Sequence, residues 1–314
     1  MTEIKRTSTL LKFMTHIISQ LKANGQHRTM LHYQAALNSF MRFRNNKDIT
    51  LKQINADVIQ SYEAYLKNEA RVCRNTSSFS FYLRILRAVY NKAQDTGLTR
   101  SQPNPFRYVY TGIDKTRKRA IPVDAIKDIK HLDLSHSPAG EMAKDTFIMS
   151  YYLRGISFVD LAHLRKSDLR NGVLRYHRSK TRQQISIQWH PKMQALVDKY
   201  ADKYHHCMTS SPYLFPFLAN TTNKKIDEEK LYHNVEARIT YHLKKIAAKA
   251  GIPHNLTLYV ARHSWATAAR DHNYPLSVIS EALGHDSETT TLTYLNSIQA
   301  SKVDQLNAEM IDDL

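Results

Sequence analysis

Between Gly97 and Pro122 this chain cannot run as one continuous helix, and that break sets its plan. The stretch holds Pro103, Pro105, Gly112 and Pro122. Proline has no amide hydrogen to donate and biases the residue before it towards extended backbone, so helices entering from either side must stop. On both sides apolar residues recur at helical spacing. A chain of 314 residues interrupted in this way reads as two domains, at the usual size of about 100–200 residues each. We expect a helical unit over residues 1–100, a linker over 101–122 and a second unit over 123–314.

The first unit reads as a small bundle of four helices with short joints. Thr29 to Arg44 carries Leu31, Ala35, Leu37, Phe40, Met41 and Phe43 close to one face. Asn55 or Asp57 caps a helix through about Val72, with Ile59, Tyr62, Tyr65 and Leu66 on one side. Thr76 to Asp95 carries Tyr82, Leu83, Leu86, Val89 and Tyr90, and Gly97 is the stop. The aromatic stripe is read as core packing rather than as a platform for stacking bases.

Charge is distributed unevenly over this plan. Residues 1–120 hold 21 Lys and Arg against 7 Asp and Glu, whereas residues 121–314 hold 24 against 21. Most of the formal +17 therefore lies in the first third, including the run Lys115, Arg117, Lys118 and Arg119 in the linker. Such a block favours a polyanion, above all nucleic acid, through counterion release. A hydrophobic share of 42% with 23% charged residues excludes disorder as the main state. Two cysteines, Cys73 and Cys207, exclude a disulfide scaffold and a thiolate-rich metal site. The pair His205-His206 next to Cys207 is read as solvent-exposed rather than metal-binding, because adjacent residues seldom converge on one ion. No apolar run reaches the roughly 18 residues of a membrane span, and no cleavable leader is evident at the N-terminus. The expectation is a soluble, intracellular, basic protein without membrane contact.

The second unit is expected to be mostly helical with one strand pair. Val173 to Arg178 and Gln184 to Trp189 alternate and are rich in β-formers, with Ser179-Lys180-Thr181-Arg182-Gln183 between them and Asn171-Gly172 turning the chain beforehand. Pro191 opens a helix at its first turn, and amphipathic helices are expected at about 191–208, 227–250 and 257–271. The stretch 281–314 carries seven acidic residues and one lysine, which suits contact with protein more than with a phosphate backbone.

Near the C-terminus three pieces occur in order: Ala261-Arg262-His263-Ser264-Trp265, Leu283-Gly284-His285, and Thr293-Tyr294-Leu295-Asn296, with Tyr294 nine residues after His285. Upstream lie Gly155-Ile156-Ser157-Phe158-Val159-Asp160-Leu161 and the hairpin Lys180. Together they resemble the tyrosine recombinase (phage integrase) family, and the resemblance covers nearly the whole chain. It implies a mainly α fold: an N-terminal SAM-like helical bundle that clamps DNA, and a mostly α catalytic domain with a small antiparallel β-hairpin. It also implies a site-specific recombinase or integrase that cuts DNA through a 3′-phosphotyrosine, using neither metal nor other cofactor.

Carried over by position, Tyr294 is the nucleophile, Arg262 clamps the phosphate, His285 hydrogen-bonds it, and Lys180 gives a proton to the 5′-oxygen. Arg178 and Arg182 are neighbours that compete for the assignment to Lys180. The types suit the chemistry, since a phosphoryl transition state concentrates negative charge that guanidinium forks hold bidentately. Asp160 is expected to orient a site group or cap local structure. The resemblance further implies double-stranded recombination sites, a homo-tetramer on synapsed DNA and DNA-bending accessory proteins as partners.

Two positions depart from the family's pattern. Ser157 stands where the first catalytic arginine belongs, and serine supplies neither charge nor fork. Arg154, three residues earlier, would lie about 60° away on the same face if the segment is helical, so it is expected to reach the phosphate instead; the alternative is compensation by Arg165 or Arg170. Tyr259 stands where the family usually has histidine and can donate a hydrogen bond without carrying charge. Both departures resemble a subgroup of integrases on conjugative elements and invertible DNA regions. A DNA invertase, a catalytically degenerate DNA-binding regulator and a type IB topoisomerase-like enzyme remain as alternative readings.

Overall fold

The protein is described from a computed structural model, in which residues 9–68, 76–99, 103–112, 120–222, 227–285, 287–292, 295 and 310 are placed. The chain divides into two compact units, Met1–Thr116 and Arg117–Leu314. It is mainly α-helical with one small antiparallel sheet. No helix among the described residues is long and apolar enough to cross a membrane.

The first unit is built from α1 (Leu10–Ala23), α2 (His27–Phe43), α3 (Ala56–Asn68) and α4 (Thr76–Asp95). Thr9 caps α1 by accepting the amide of Lys12, which satisfies one of the free N–H groups of the first turn. Phe40, Tyr62, Leu66, Leu83 and Tyr90 fill the core, with Phe40 and Tyr62 edge to face at 5.0 Å. The Tyr62 hydroxyl donates to Ser39 Oγ, so its buried oxygen is satisfied. The aromatic stripe is therefore core. Leu31 is not part of it: at 56% exposure it lies off the face that the periodicity assigned to the core.

The linker is shorter than the proline pattern suggested. Phe106 and Val109 are buried in the first core. Ile121, at the other end, belongs to the second core, and its amide donates to Ser264 Oγ. Residues 113–119, with Lys115, Arg117, Lys118 and Arg119, lie outside the described residues.

In the second unit, α5 (Val123–His131) leads into α6 (Pro138–Tyr152), the central helix. Ser137 caps α6, Pro138 occupies its first turn, and the helix is buried on several faces through Met142, Ala143, Phe147, Ile148 and Met149. After α7 (Phe158–His163) come β1 (Leu169–Arg170), β2 (Val173–His177) and β3 (Gln184–Gln188), ordered β1-β2-β3. β2 and β3 pair with Leu174 opposite Ile187 and Tyr176 opposite Ile185. The expected helix 191–208 is divided, into α8 (Pro191–Lys203) and α9 (His205–Met208), at Tyr204. His205 and His206 in α9 are exposed. The chain then continues through α10 (Glu228–Lys249), α11 (Leu258–Asp271), α12 (Leu276–Leu283) and α13 (Glu288–Leu292). Helices α10 and α11 both pack on α6, which makes α11 a rigid base for the side chains it carries.

Candidate functional site

Arg262 is placed from below by α11. Val260 and Ala261 anchor that helix in the core, and the Arg262 side chain is only 6% exposed. Its Nη1 donates to the Gly155 carbonyl at 3.1 Å, and its Nη2 donates to the Leu283 carbonyl and, at 2.9 Å, to His285 Nε2. Gly155 approaches so closely that a Cβ there would overlap the Cα and Cβ of Arg262, and its φ of +74° lies in the left-handed region that glycine tolerates.

The Leu283-Gly284-His285 piece is a helix terminus. Gly284 takes φ +62° after α12 and the His285 amide returns to the Ser280 carbonyl at 3.0 Å, which closes the helix with a left-handed cap. A Cβ on Gly284 would also meet Ile185 Cδ1 at 2.6 Å and Arg178 Cδ at 2.9 Å, so the hairpin lies directly on this cap. The turn leaves the Leu283 and Gly284 carbonyls pointing at arginines.

His285 is 9% exposed. Arginine can only donate, so Nε2 is the accepting nitrogen; the proton is thereby assigned to Nδ1, which donates to Thr291 Oγ1 at 2.8 Å. Burial, followed by repulsion from Arg262, Arg178 and Lys180, pushes its pKa down to about 4. The imidazole is thus neutral at pH 7. The unfolded chain takes up a proton below about 6.5 that the folded chain refuses until about 4, so this group lowers stability as pH falls through that window. A phosphodiester brought against the same cations offsets their repulsion, so DNA binding is expected to raise the His285 pKa. Histidine NMR titration checks this: no change of the His285 signal above pH 5 in the free protein, and a titration moved upward in the DNA complex. An identical midpoint in both contradicts it.

The hairpin brings the remaining cations. Arg178 directly follows β2; its amide bonds the Gln183 carbonyl at 2.9 Å and the Arg182 amide returns to the Arg178 carbonyl at 2.8 Å, which closes the turn. Its side chain is 9% exposed, and Nη1 donates to the Leu283 carbonyl at 3.1 Å and to the Gly284 carbonyl. Lys180 is exposed in the turn, close enough for its charge to act on His285. Asp160, 6% exposed, holds the turn in place: Oδ1 accepts from the Ser179 amide at 2.9 Å and from its hydroxyl at 2.6 Å, and Oδ2 accepts from Ser157 Oγ at 2.6 Å. Ser157 also caps α7. The Ser157 slot is therefore a serine–aspartate–serine link from α7 to the residue before Lys180.

The structure thus gathers Arg262, His285, Lys180, Asp160 and Ser157 about one locus, and adds Thr291, which the motifs do not assign to it, and Arg178, which they mark only as a rival to Lys180. The signal for Arg178 is present in the strand alternation, since Leu174, Tyr176 and Arg178 fall on one face. Arg154 is a correction to the helical argument. Helix α6 ends at Tyr152, α7 starts at Phe158, and Arg154 has φ +57°, so residues 154 and 157 share no helical face. Its side chain lines a cavity of about 630 Å³ with Ile185, Trp265 and Ile279. Arg165 and Arg170 are exposed, and Arg170 Nε bonds the Ser167 carbonyl of its own turn. Tyr259 is exposed on the first turn of α11, its ring edge-on to His263 at 4.9 Å. Tyr294 lies outside the described residues.

Comparison with known proteins gives the same picture at the level of the chain. Residues 9–110 match the Phage integrase SAM-like domain and residues 124–300 match the Phage integrase family. Tyrosine recombinase XerC of Rickettsia canadensis (strain McKiel) is 25% identical over 288 residues, covering 87% of this chain and 88% of that one. A lambda integrase(75-356) dimer bound to a COC' core site superposes with a TM-score of 0.68 at 17% identity, covering 93% of this chain and 97% of that one. A lambda integrase tetramer bound to a Holliday junction gives 0.65 at 16% identity, covering 93% and 78%.

Proposed function

The chain belongs to the phage integrase family, and from that membership we propose how its residues carry the reaction. It is a tyrosine-type site-specific recombinase, an enzyme that breaks and rejoins DNA. Tyr294 is the nucleophile. Its phenolic oxygen bonds to the scissile phosphorus as the P–O5′ bond breaks, which leaves a 3′-phosphotyrosine, and the departing 5′-oxygen takes a proton from Lys180. A 5′-hydroxyl from a partner strand reverses the step. One phosphoester replaces another, so no nucleotide cofactor is consumed.

Arg262 holds the phosphate through the transition state. Its carbonyl and imidazole partners keep the guanidinium aimed before DNA arrives, so little reorganisation remains at the moment of reaction. The bound phosphate offsets the cations around His285 and raises its pKa, so Nε2 takes up a proton and donates to a phosphate oxygen while Nδ1 stays on Thr291. Asp160 is a positioning residue that sets the turn bearing Lys180, and Tyr259 is an uncharged donor at the first turn of α11. The observation that carries this reading is the convergence of α11, the α12 terminus and the hairpin on a cluster of cations around a neutral histidine.

The first unit, through Val109, serves as the DNA-clamping bundle and the second, from Ile121, as the catalytic domain, with the residues between them as the linker. Lys115, Arg117, Lys118 and Arg119 contact the phosphate backbone, in keeping with the charge excess of residues 1–120. The partners are double-stranded recombination sites and further copies of this chain, two per site and four on synapsed DNA, with DNA-bending accessory proteins. The dimer and tetramer of lambda integrase on DNA support that stoichiometry. Serine at 157 and tyrosine at 259 support a place in the subgroup on conjugative elements and invertible regions, with the bacterial cytoplasm as the proposed setting.

A nicked duplex carrying the DNA that flanks the gene tests this. The 5′-oxygen departs on a short strand that diffuses away, so the covalent adduct accumulates. Mass spectrometry of the trapped peptide is expected to locate the oligonucleotide on Tyr294. Attachment elsewhere, or none, overturns the proposal.

A further inference from the structure

Three threonines follow one another in α13, and only the last is buried. Thr289 and Thr290 are exposed, whereas Thr291 is 0% exposed. Its Oγ1 accepts the Nδ1–H of His285 at 2.8 Å, while Nε2 is turned to Arg262. In a neutral imidazole the bond made by one nitrogen decides the state of the other. His285 is largely buried, so little water reaches the ring to replace the Thr291 hydroxyl. An imidazolium needs an acceptor at each nitrogen. A phosphate oxygen serves Nε2, and Thr291 serves Nδ1 both before and after DNA arrives. The same bond acts on the chain. Tyr294 follows Thr291 by three residues, a reach of at most about 11 Å. Helix α13 packs on α12, and Leu295, directly after Tyr294, is buried with Ala266, Ile279 and Leu283. The nucleophile is therefore flanked in sequence by a polar anchor on His285 and an apolar anchor on α11 and α12.

We propose that Thr291 is a positioning residue that couples the phosphate-binding histidine to the segment bearing the nucleophile. The proposal rests on the recombinase reading above. Thr291 acts through His285 and not on the DNA. Its hydroxyl fixes which nitrogen of His285 faces the phosphate, and the same bond keeps α13, and with it the tether of Tyr294, at the site. A valine there has the same shape but offers Nδ1 no acceptor. The proton then moves to Nε2, where it meets the Arg262 guanidinium donor to donor, and the ring turns to relieve that contact. Histidine and nucleophile lose their alignment together. The Thr291 methyl contributes only packing, and serine, which lacks it, keeps the acceptor.

The test uses the full chain and the nicked duplex. Thr291→Val is expected to slow adduct formation by about 10- to 100-fold, the loss usual when a metal-bound imidazole is deprived of its orienting partner. Thr291→Ser, which keeps the hydroxyl, should stay within about threefold of wild type, and Thr289→Val, on the exposed face, should match it. If valine unfolds the segment, Thr291→Ala and Thr291→Ser, which differ by the hydroxyl alone, give the same comparison. Nitrogen NMR of the free protein supplies a readout that packing alone would not move. His285 should show the Nδ1–H tautomer in wild type and Thr291→Ser, and a shift towards Nε2–H in Thr291→Val. A serine variant slower than the valine variant would mean that the methyl is what the site needs, and overturns the proposal. So does an unchanged tautomer in Thr291→Val, or cleavage by that variant at a near-wild-type rate. Failure of wild type to form an adduct, whatever the tautomer, sinks the recombinase reading itself, and this proposal with it.

Discussion

Arg262→Lys is expected to lower the rate of covalent adduct formation about 1000-fold while leaving the fold intact. Lysine keeps the charge but is a point donor on a flexible stem. The wild-type guanidinium reaches the Gly155 carbonyl, the Leu283 carbonyl and His285 Nε2 from one rigid plane, and an ammonium group cannot span these three. Loss of a single preorganised donor to a developing oxyanion costs roughly 100- to 1000-fold in rate, and here the fork and its aim are lost together. Stability changes far less. The Leu283 carbonyl keeps Arg178 as a donor, and repulsion between the two cations eases as the ammonium moves away. Single-turnover cleavage of the nicked substrate and a thermal melt separate the two effects. A rate within tenfold of wild type would remove Arg262 from the reaction.

Gly155→Ala should be the most damaging small substitution in the second unit. Two penalties coincide. The left-handed backbone disfavours any side chain by about 1 kcal/mol, and the new methyl would occupy the space of the Arg262 Cα and Cβ. Backbone cannot swing aside as a flexible side chain does. Either α11 leaves its seat on α6 or the turn between α6 and α7 opens, and overpacking of this kind typically costs a further 1–3 kcal/mol. Each kcal/mol lowers the melting temperature of a domain this size by about 2–4 °C, so a fall of about 5–15 °C is expected, together with loss of the adduct. A melt within 2 °C of wild type would show that the close approach is not obligatory.

The elements that obey local rules are readable in order. Pro191 does open a helix, Gly284 does close one, and helices near 257–271 and 227–250 stand within a residue or two of their expected bounds. The alternating segments either side of Lys180 form the strand pair. Sequence and structure part where a residue's partner lies far along the chain. Leu31 has the right spacing for a core residue yet faces out, since periodicity locates an apolar face only approximately. Phe106 and Val109 stand among turn residues but pack into the first core. Helical spacing makes Ser157 a neighbour of Arg154, and the left-handed turn at 154–155 abolishes that relation. Arg178 is legible from alternation, which puts it on the inward face with Leu174, but its motif position marks it only as a rival to Lys180.

Sequence alone pointed to the family and the mainly helical plan and singled out Arg262, His285 and Lys180 as a candidate set, because those depend on residue types in a fixed order and on backbone rules that act over a few positions. Tertiary structure decided which cation stands beside Arg262, why Asp160 holds the hairpin turn and which nitrogen of His285 carries the proton. Each of those rests on contacts across 19 to 106 residues of chain, and no local propensity encodes a meeting at that range.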